Sequence, residues 1–180
     1  MSDGCEECDD ECQVYAEGNT VFFFCDVTDY TVKRLCVLLK RVSLTHDNIK
    51  LCINSPGGNI YSGFAGLDYI RFLVMQNVKI ETIAYGMCAS AATFLLLGGS
   101  KRSMGKNAYV LIHQMSDSID GTFGELQCSM RNNKKHMKHF RNLYLENTKV
   151  PEEYLEKLLT KDIVLSANKC IKYGIVHELI

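Results

Sequence analysis

The chain has 180 residues, 47% of them hydrophobic, which suffices for one domain with a full core and argues against a split into two. A formal net charge of −1 gives no global pull toward nucleic acid or a membrane surface. Nine cysteines, an odd number with no basic and apolar leader before them, argue against a secreted disulfide framework. No apolar run reaches the roughly 18 residues of a membrane span, so the expectation is a soluble protein in a reducing cytoplasm.

Residues 1–18 read as an acidic, cysteine-bearing tail that ends at the turn signal Glu17-Gly18-Asn19. Cys5, Cys8 and Cys12 have spacing that could share a zinc ion, but no fourth ligand is evident, and a flexible acidic tail is the favoured reading. Residues 20–25 form a first strand. Caps at Asp26 to Asp29 then open a helix with Val32, Leu35, Cys36 and Leu39 on its apolar face, ending near Ser43. The strand Ile49-Lys50-Leu51-Cys52-Ile53 runs into Asn54-Ser55-Pro56-Gly57-Gly58, where adjacent glycines can turn backbone N–H groups toward a bound group or simply make a turn. A second helix carries Phe64, Leu67, Ile70 and Leu73 and stops near Gln76-Asn77.

The stretch from Val78 to Tyr85 alternates as a strand, and Ala91 to Leu97 is apolar all round, as expected of a short buried helix closed by Gly98-Gly99. Ser90 falls at that helix's start, where a hydroxyl serves equally well as an N-cap or as a nucleophile. Two strands follow, residues 101–104 and 108–112, the second ending in His113-Gln114. A polar stretch over residues 115–124 precedes a long helix over about residues 125–148. Leu126, Met130, Met137, Phe140 and Tyr144 form its apolar stripe, and Arg131, Lys134, Lys135, Lys138 and Arg141 its basic, solvated face. Pro151 starts a further helix, Asp162 lies in a connection, and Ser166 and Gly174 bracket a last short helix. This alternation predicts a parallel α/β sheet with right-handed crossovers, which gathers Gly57, Gly58 and Ser90 at the carboxyl ends of its strands.

Four ordered motifs, I-N-S-P-G-G, G-M-C-A-S-A-A, Leu111-Ile112-His113-Gln114 and the K-D-I-V-L-S-A that carries Asp162, resemble those of the ClpP serine peptidases, the proteolytic subunits of Clp proteases. The resemblance runs from about Thr20 to the C-terminus. It implies an α/β fold, the ClpP/crotonase-like spiral of βαβ units, as a peptidase domain over residues 19–180 with a protruding strand-plus-long-helix handle at about 115–148. It also implies a catalytic Ser90, His113 and Asp162, with the backbone N–H groups of Gly58 and Ala91 as the oxyanion hole. Heptameric rings stacked as a tetradecamer, polypeptide substrates and an AAA+ unfoldase of the ClpX, ClpA or ClpC type are implied as well. No G-x-x-x-x-G-K-[ST] loop is present, so the resemblance assigns ATP to the partner, with no cofactor in this chain and no nucleic acid or membrane among its partners. Ala91 and Met115 stand where the family often has methionine and proline. Alternatives are a non-catalytic ring subunit, a viral capsid-maturation protease of the wider group, and a crotonase-like acyl-CoA enzyme built on the same spiral.

Overall fold

Short runs of β-branched and aromatic residues alternate with amphipathic helices through residues 14–180, the part of the chain that the computed structural model describes. In order these are β1 (Val14–Glu17), β2 (Thr20–Phe23), α1 (Asp29–Ser43), β3 (Asn48–Ser55), α2 (Ile60–Met75), β4 (Lys79–Ala89) and α3 (Ala92–Gly98). They continue as β5 (Lys101–Met104), β6 (Tyr109–Leu111), α4 (Phe123–Asn147), α5 (Glu152–Thr160), β7 (Val164–Ser166), α6 (Ala167–Lys172) and β8 (Glu178–Leu179). Cys5, Cys8 and Cys12, the zinc reading among them, lie outside the described residues. Among the described residues no group of three or more His, Cys, Asp or Glu side chains could hold a metal ion, and no helix is long and apolar enough to cross a membrane.

Strands β2, β3, β4, β5 and β8 lie parallel in that order, and β1 is antiparallel at the edge beside β2. By composition Val14–Glu17 belong to the acidic tail. They instead form β1, with Val14 fully buried opposite Phe23 and Tyr15 stacked on Phe22 at 4.7 Å. A four-residue strand beside acidic residues carries too short a pattern to be told from a polar tail.

Strand β4 is longer than residues 78–85 because it serves two neighbours. Glu81–Ala84 pair with β5, and Met87–Ala89 pair with β6, which in turn pairs antiparallel with β7. Between the two segments Gly86 has φ +49°, and a Cβ there would meet Asn54 Oδ1 at 2.6 Å. Asn54 Oδ1 accepts the Met87 N–H at 3.0 Å instead, so the strand bends around a side chain rather than stopping.

Side-chain caps open the first two helices. Thr28 and Thr31 form a reciprocal capping box at α1, and Asn59 accepts the Ser62 N–H at α2. All of α3 is buried against the sheet and α2, with Phe94 stacked on Phe64 at 4.9 Å. Each fully buried Leu or Ile of this layer, such as Ile53, Ile70, Leu95 and Leu96, contributes about 1.5–3 kcal/mol by leaving water. On α4 only Phe140, Leu143 and Tyr144 are buried, while Phe123 and Met130 are 76% and 59% exposed. The predicted apolar stripe is therefore packed over its C-terminal half alone. The long helix expected over about residues 125–148 is present as α4, and no strand forms at residues 112–122, for which no neighbouring strand lies among the described residues.

The end of the chain is stitched to β5 by Arg102, which is 8% exposed and donates to the carbonyls of Asn147 at 2.9 Å and Gly174 at 3.0 Å. Its backbone N–H donates to His177 Nδ1 at 3.1 Å, a bond that requires the imidazole to be unprotonated at that nitrogen. Partial burial, and secondarily the nearby Arg102 charge, hold His177 below its ordinary 6.5. A depressed histidine adds stability that is complete above about pH 6.5 and is lost as pH falls through the folded-state value. The His177 ring is expected to titrate below 6.5 by NMR, and Tm should decline with pH across that window, a slope that His177→Gln removes.

Candidate active site

Three strand ends meet above α3. Strand β4 ends at Ala89, and the next residue, Ser90, has φ +54°, the left-handed region that non-glycine residues rarely occupy. Holding it there costs about 1–3 kcal/mol, which the surroundings must offset. The Ser90 N–H donates to the Leu111 carbonyl of β6 at 2.9 Å, and the Ser90 carbonyl accepts the Thr93 N–H at 3.0 Å and the Thr93 hydroxyl at 2.6 Å. Ser90 is thus not the N-cap its position suggests: Ala91 occupies the cap, without a side-chain bond, and Ser90 turns the chain so that its hydroxyl is left out of the backbone's accounting.

The glycine pair supplies the other wall. Gly57 has φ +100°, and a Cβ on it would lie 2.5 Å from Ser90 Cβ, 2.7 Å from the Ala89 carbonyl oxygen and 3.1 Å from Ala91 N, so only glycine lets these two backbone segments touch. Gly57 is held from both sides. Its carbonyl accepts the Val27 N–H at 2.7 Å, and its N–H donates to Ser55 Oγ at 3.1 Å. Val27 also accepts from Asn59 at 2.7 Å, so it bridges around Gly58 without using the Gly58 N–H. Neither that N–H nor the one on Ala91 is taken by a backbone hydrogen bond, and the two belong to adjoining peptides.

His113 and Asp162 lie just outside the β6–β7 ladder. Its last pair is Leu111 with Val164, and each of the two residues lies two positions beyond that pair, at the same end of the ladder. There the ladder ends in a tight turn, with the Ile163 N–H donating to the Lys161 carbonyl at 2.7 Å around Asp162. The parallel β4–β6 pairing likewise carries Ser90 to the level of Ile112, one residue before His113. His113 is half-buried and Asp162 exposed. Among the described residues no hydrogen bond joins Ser90 Oγ, the His113 ring and the Asp162 carboxylate to one another. Ser90 thus adjoins the end of β6, two residues before His113, and its side chain makes no bond to His113 or Asp162.

Cys88, two residues before Ser90, is fully buried, and burial pushes its thiol far above the ordinary range, so it packs as an apolar residue and offers no competing thiolate. Three participants were not singled out from the sequence: Gly57 as the contact surface for Ser90, Thr93 as the support of its carbonyl, and Tyr144, whose hydroxyl lies 2.5 Å from that of Thr93. The Ser90-x-x-Thr93 spacing is a local signal for the second. Nothing in the sequence pairs Tyr144 with a residue 51 positions away.

The described residues form a mixed α/β domain, six helices with a central mixed sheet, whose strand β4 ends in a left-handed serine beside two untaken amides. The chain belongs to the Clp protease family, whose family model matches residues 4–180. It is 33% identical over 150 residues to the ATP-dependent Clp protease proteolytic subunit 2 of Treponema denticola, covering 82% of this chain and 73% of that relative. It is 30% identical over 134 residues to the ATP-dependent Clp protease proteolytic subunit of Deinococcus radiodurans, covering 73% of this chain and 64% of that relative.

Proposed function

We propose that this chain is a serine endopeptidase, the proteolytic subunit of an ATP-dependent Clp-type protease. The observation that carries this is the Ser90 turn, a strained left-handed serine at a strand end beside two untaken backbone N–H groups. Ser90 Oγ attacks the scissile carbonyl as His113 takes its proton, and His113 then returns that proton to the leaving amine. Water, activated by the same imidazole, releases the acyl group and restores Ser90. Asp162 accepts a hydrogen bond from the other ring nitrogen, fixing the tautomer and stabilising the imidazolium. The Gly58 and Ala91 N–H groups donate to the tetrahedral oxyanion, each worth about 2.7–4 kcal/mol of transition-state stabilisation.

The relatives' names support a proteolytic subunit of an ATP-dependent protease, and the rings and chamber follow from the family resemblance. Copies of this chain assemble into rings, seven to a ring and two rings to a chamber, and an AAA+ unfoldase spends the ATP that feeds unfolded polypeptides in from the cytoplasm. The bonds among the three side chains close when the exposed half of α4 and residues 112–122 find neighbours in that assembly. A second reading, a non-catalytic ring subunit, draws on those same unmade bonds.

Native mass spectrometry and peptide hydrolysis on the wild-type protein test the proposal together. A many-subunit assembly that cuts short fluorogenic peptides alone, and folded proteins only with an unfoldase and ATP, is expected. An assembly without hydrolysis favours the second reading, and a monomer inert toward peptides contradicts the proposal.

A further inference from the structure

The Ser90 turn is reached from the long helix through two buried hydroxyls. Thr93 is 1% exposed and Tyr144 3% exposed, and their oxygens are 2.5 Å apart. The Thr93 hydroxyl is also 2.6 Å from the Ser90 carbonyl oxygen. A carbonyl can only accept, so the single Thr93 proton goes to Ser90, and the Tyr144 phenol must donate to Thr93 Oγ1. The bonds therefore run one way, from Tyr144 through Thr93 to the carbonyl of Ser90. Burial pushes the Tyr144 phenol well above its ordinary range, which keeps it a donor at any working pH. The Tyr144 ring is held near Phe94 of α3 at 6.2 Å between centroids, so its position is set jointly by α3 and α4.

Taking Ser90 as the nucleophile, as proposed above, we infer that Thr93 and Tyr144 are positioning residues that hold the Ser90 turn in its left-handed conformation and tie it to α4. The Ser90 N–H is anchored to β6 and its carbonyl to Thr93, so both peptides that flank the nucleophile are fixed, and the second is tied through Thr93 to α4, whose N-terminal half is largely exposed. A shift of α4 is transmitted to the direction of Ser90 Oγ. A small misplacement of a reacting atom slows chemistry without weakening substrate binding.

The test uses the full chain and a short fluorogenic peptide, comparing Thr93→Val, Thr93→Ser, Thr93→Val/Tyr144→Phe and Ser90→Ala. Thr93→Val and the double variant should each lose about tenfold or more in kcat with KM within about twofold, and Thr93→Ser should stay within about threefold of wild type. The double variant removes both buried hydroxyls and leaves neither unpaired, so its Tm should exceed that of Thr93→Val while its kcat stays low. Wild-type kcat in the double variant, or kcat recovering along with Tm, would overturn the inference and leave a purely structural pair. Ser90→Ala separates the two levels of argument. If it is inert while Thr93→Val is fully active, only the positioning role fails; if it hydrolyses like wild type, the nucleophile assignment fails first.

Discussion

Ser90→Ala is expected to lower kcat for peptide hydrolysis by about 10⁴-fold or more while leaving Tm within about 2 °C of wild type, and His113→Ala is expected to do the same to kcat. The two halves of the prediction come from different facts. The hydroxyl of Ser90 makes no hydrogen bond among the described residues, and alanine fits the left-handed turn as well as serine does, so folding gives up little. The backbone bonds to Leu111 and Thr93 that hold the turn do not involve the side chain and persist in the variant. Chemistry, by contrast, loses the atom that attacks. A nucleophile and its base act as a unit, so removing either costs about as much as removing both. Thermal unfolding and steady-state hydrolysis on the same preparations read the two halves separately. A variant that loses Tm and activity in step would mean that Ser90 is structural.

Gly57→Ala carries the other large effect, and here stability and activity fall together. The substitution adds a left-handed strain of about 1–3 kcal/mol and an overpacking cost of similar size, because the new methyl has backbone on two sides and Ser90 Cβ on the third. A total of about 2–6 kcal/mol is a large share of the 5–15 kcal/mol that holds a typical domain together. Whatever relief the chain finds must push the Ser90–Ala91 peptide away from the Gly57–Gly58 peptide, which separates the two untaken N–H groups. Chemical denaturation should show the stability loss, and soluble variant protein should hydrolyse peptide at least a hundredfold more slowly. Full activity in a destabilised protein would show that the contact between these segments is not needed for catalysis.

The parts of this architecture that were legible in the sequence are those with a local cause. Caps at Asp26 to Asp29 announce α1, the apolar periodicity of Phe64, Leu67, Ile70 and Leu73 announces α2, Gly98-Gly99 closes α3, and the apolar strands on either side of the glycine pair read directly as parallel neighbours. What stayed hidden depends on contacts between distant residues. The bend at Gly86 looks like a strand end until Asn54 is seen to fill it, and Ser90 looks like a helix cap until the Gly57 backbone is seen against its Cβ. Tyr144 reads as one more member of an apolar stripe, and only the fold brings its hydroxyl to Thr93. Asp162 had no local signal beyond its motif, and only the pairing of β7 with β6 brings its segment to the end of the strand that precedes His113. The strand expected before the long helix depends on such contacts too: among the described residues no strand pairs with residues 112–122.

The proposed chemistry requires residue 90 to be an activated nucleophile. Reaction of the assembled protein with a fluorophosphonate, followed by proteolytic mapping of the adduct, examines this without assuming a substrate. The expected result is a single covalent phosphonyl group on Ser90, slowed at least a hundredfold by His113→Ala. An unlabelled protein that still cleaves peptides, or an adduct on any other residue, would contradict it.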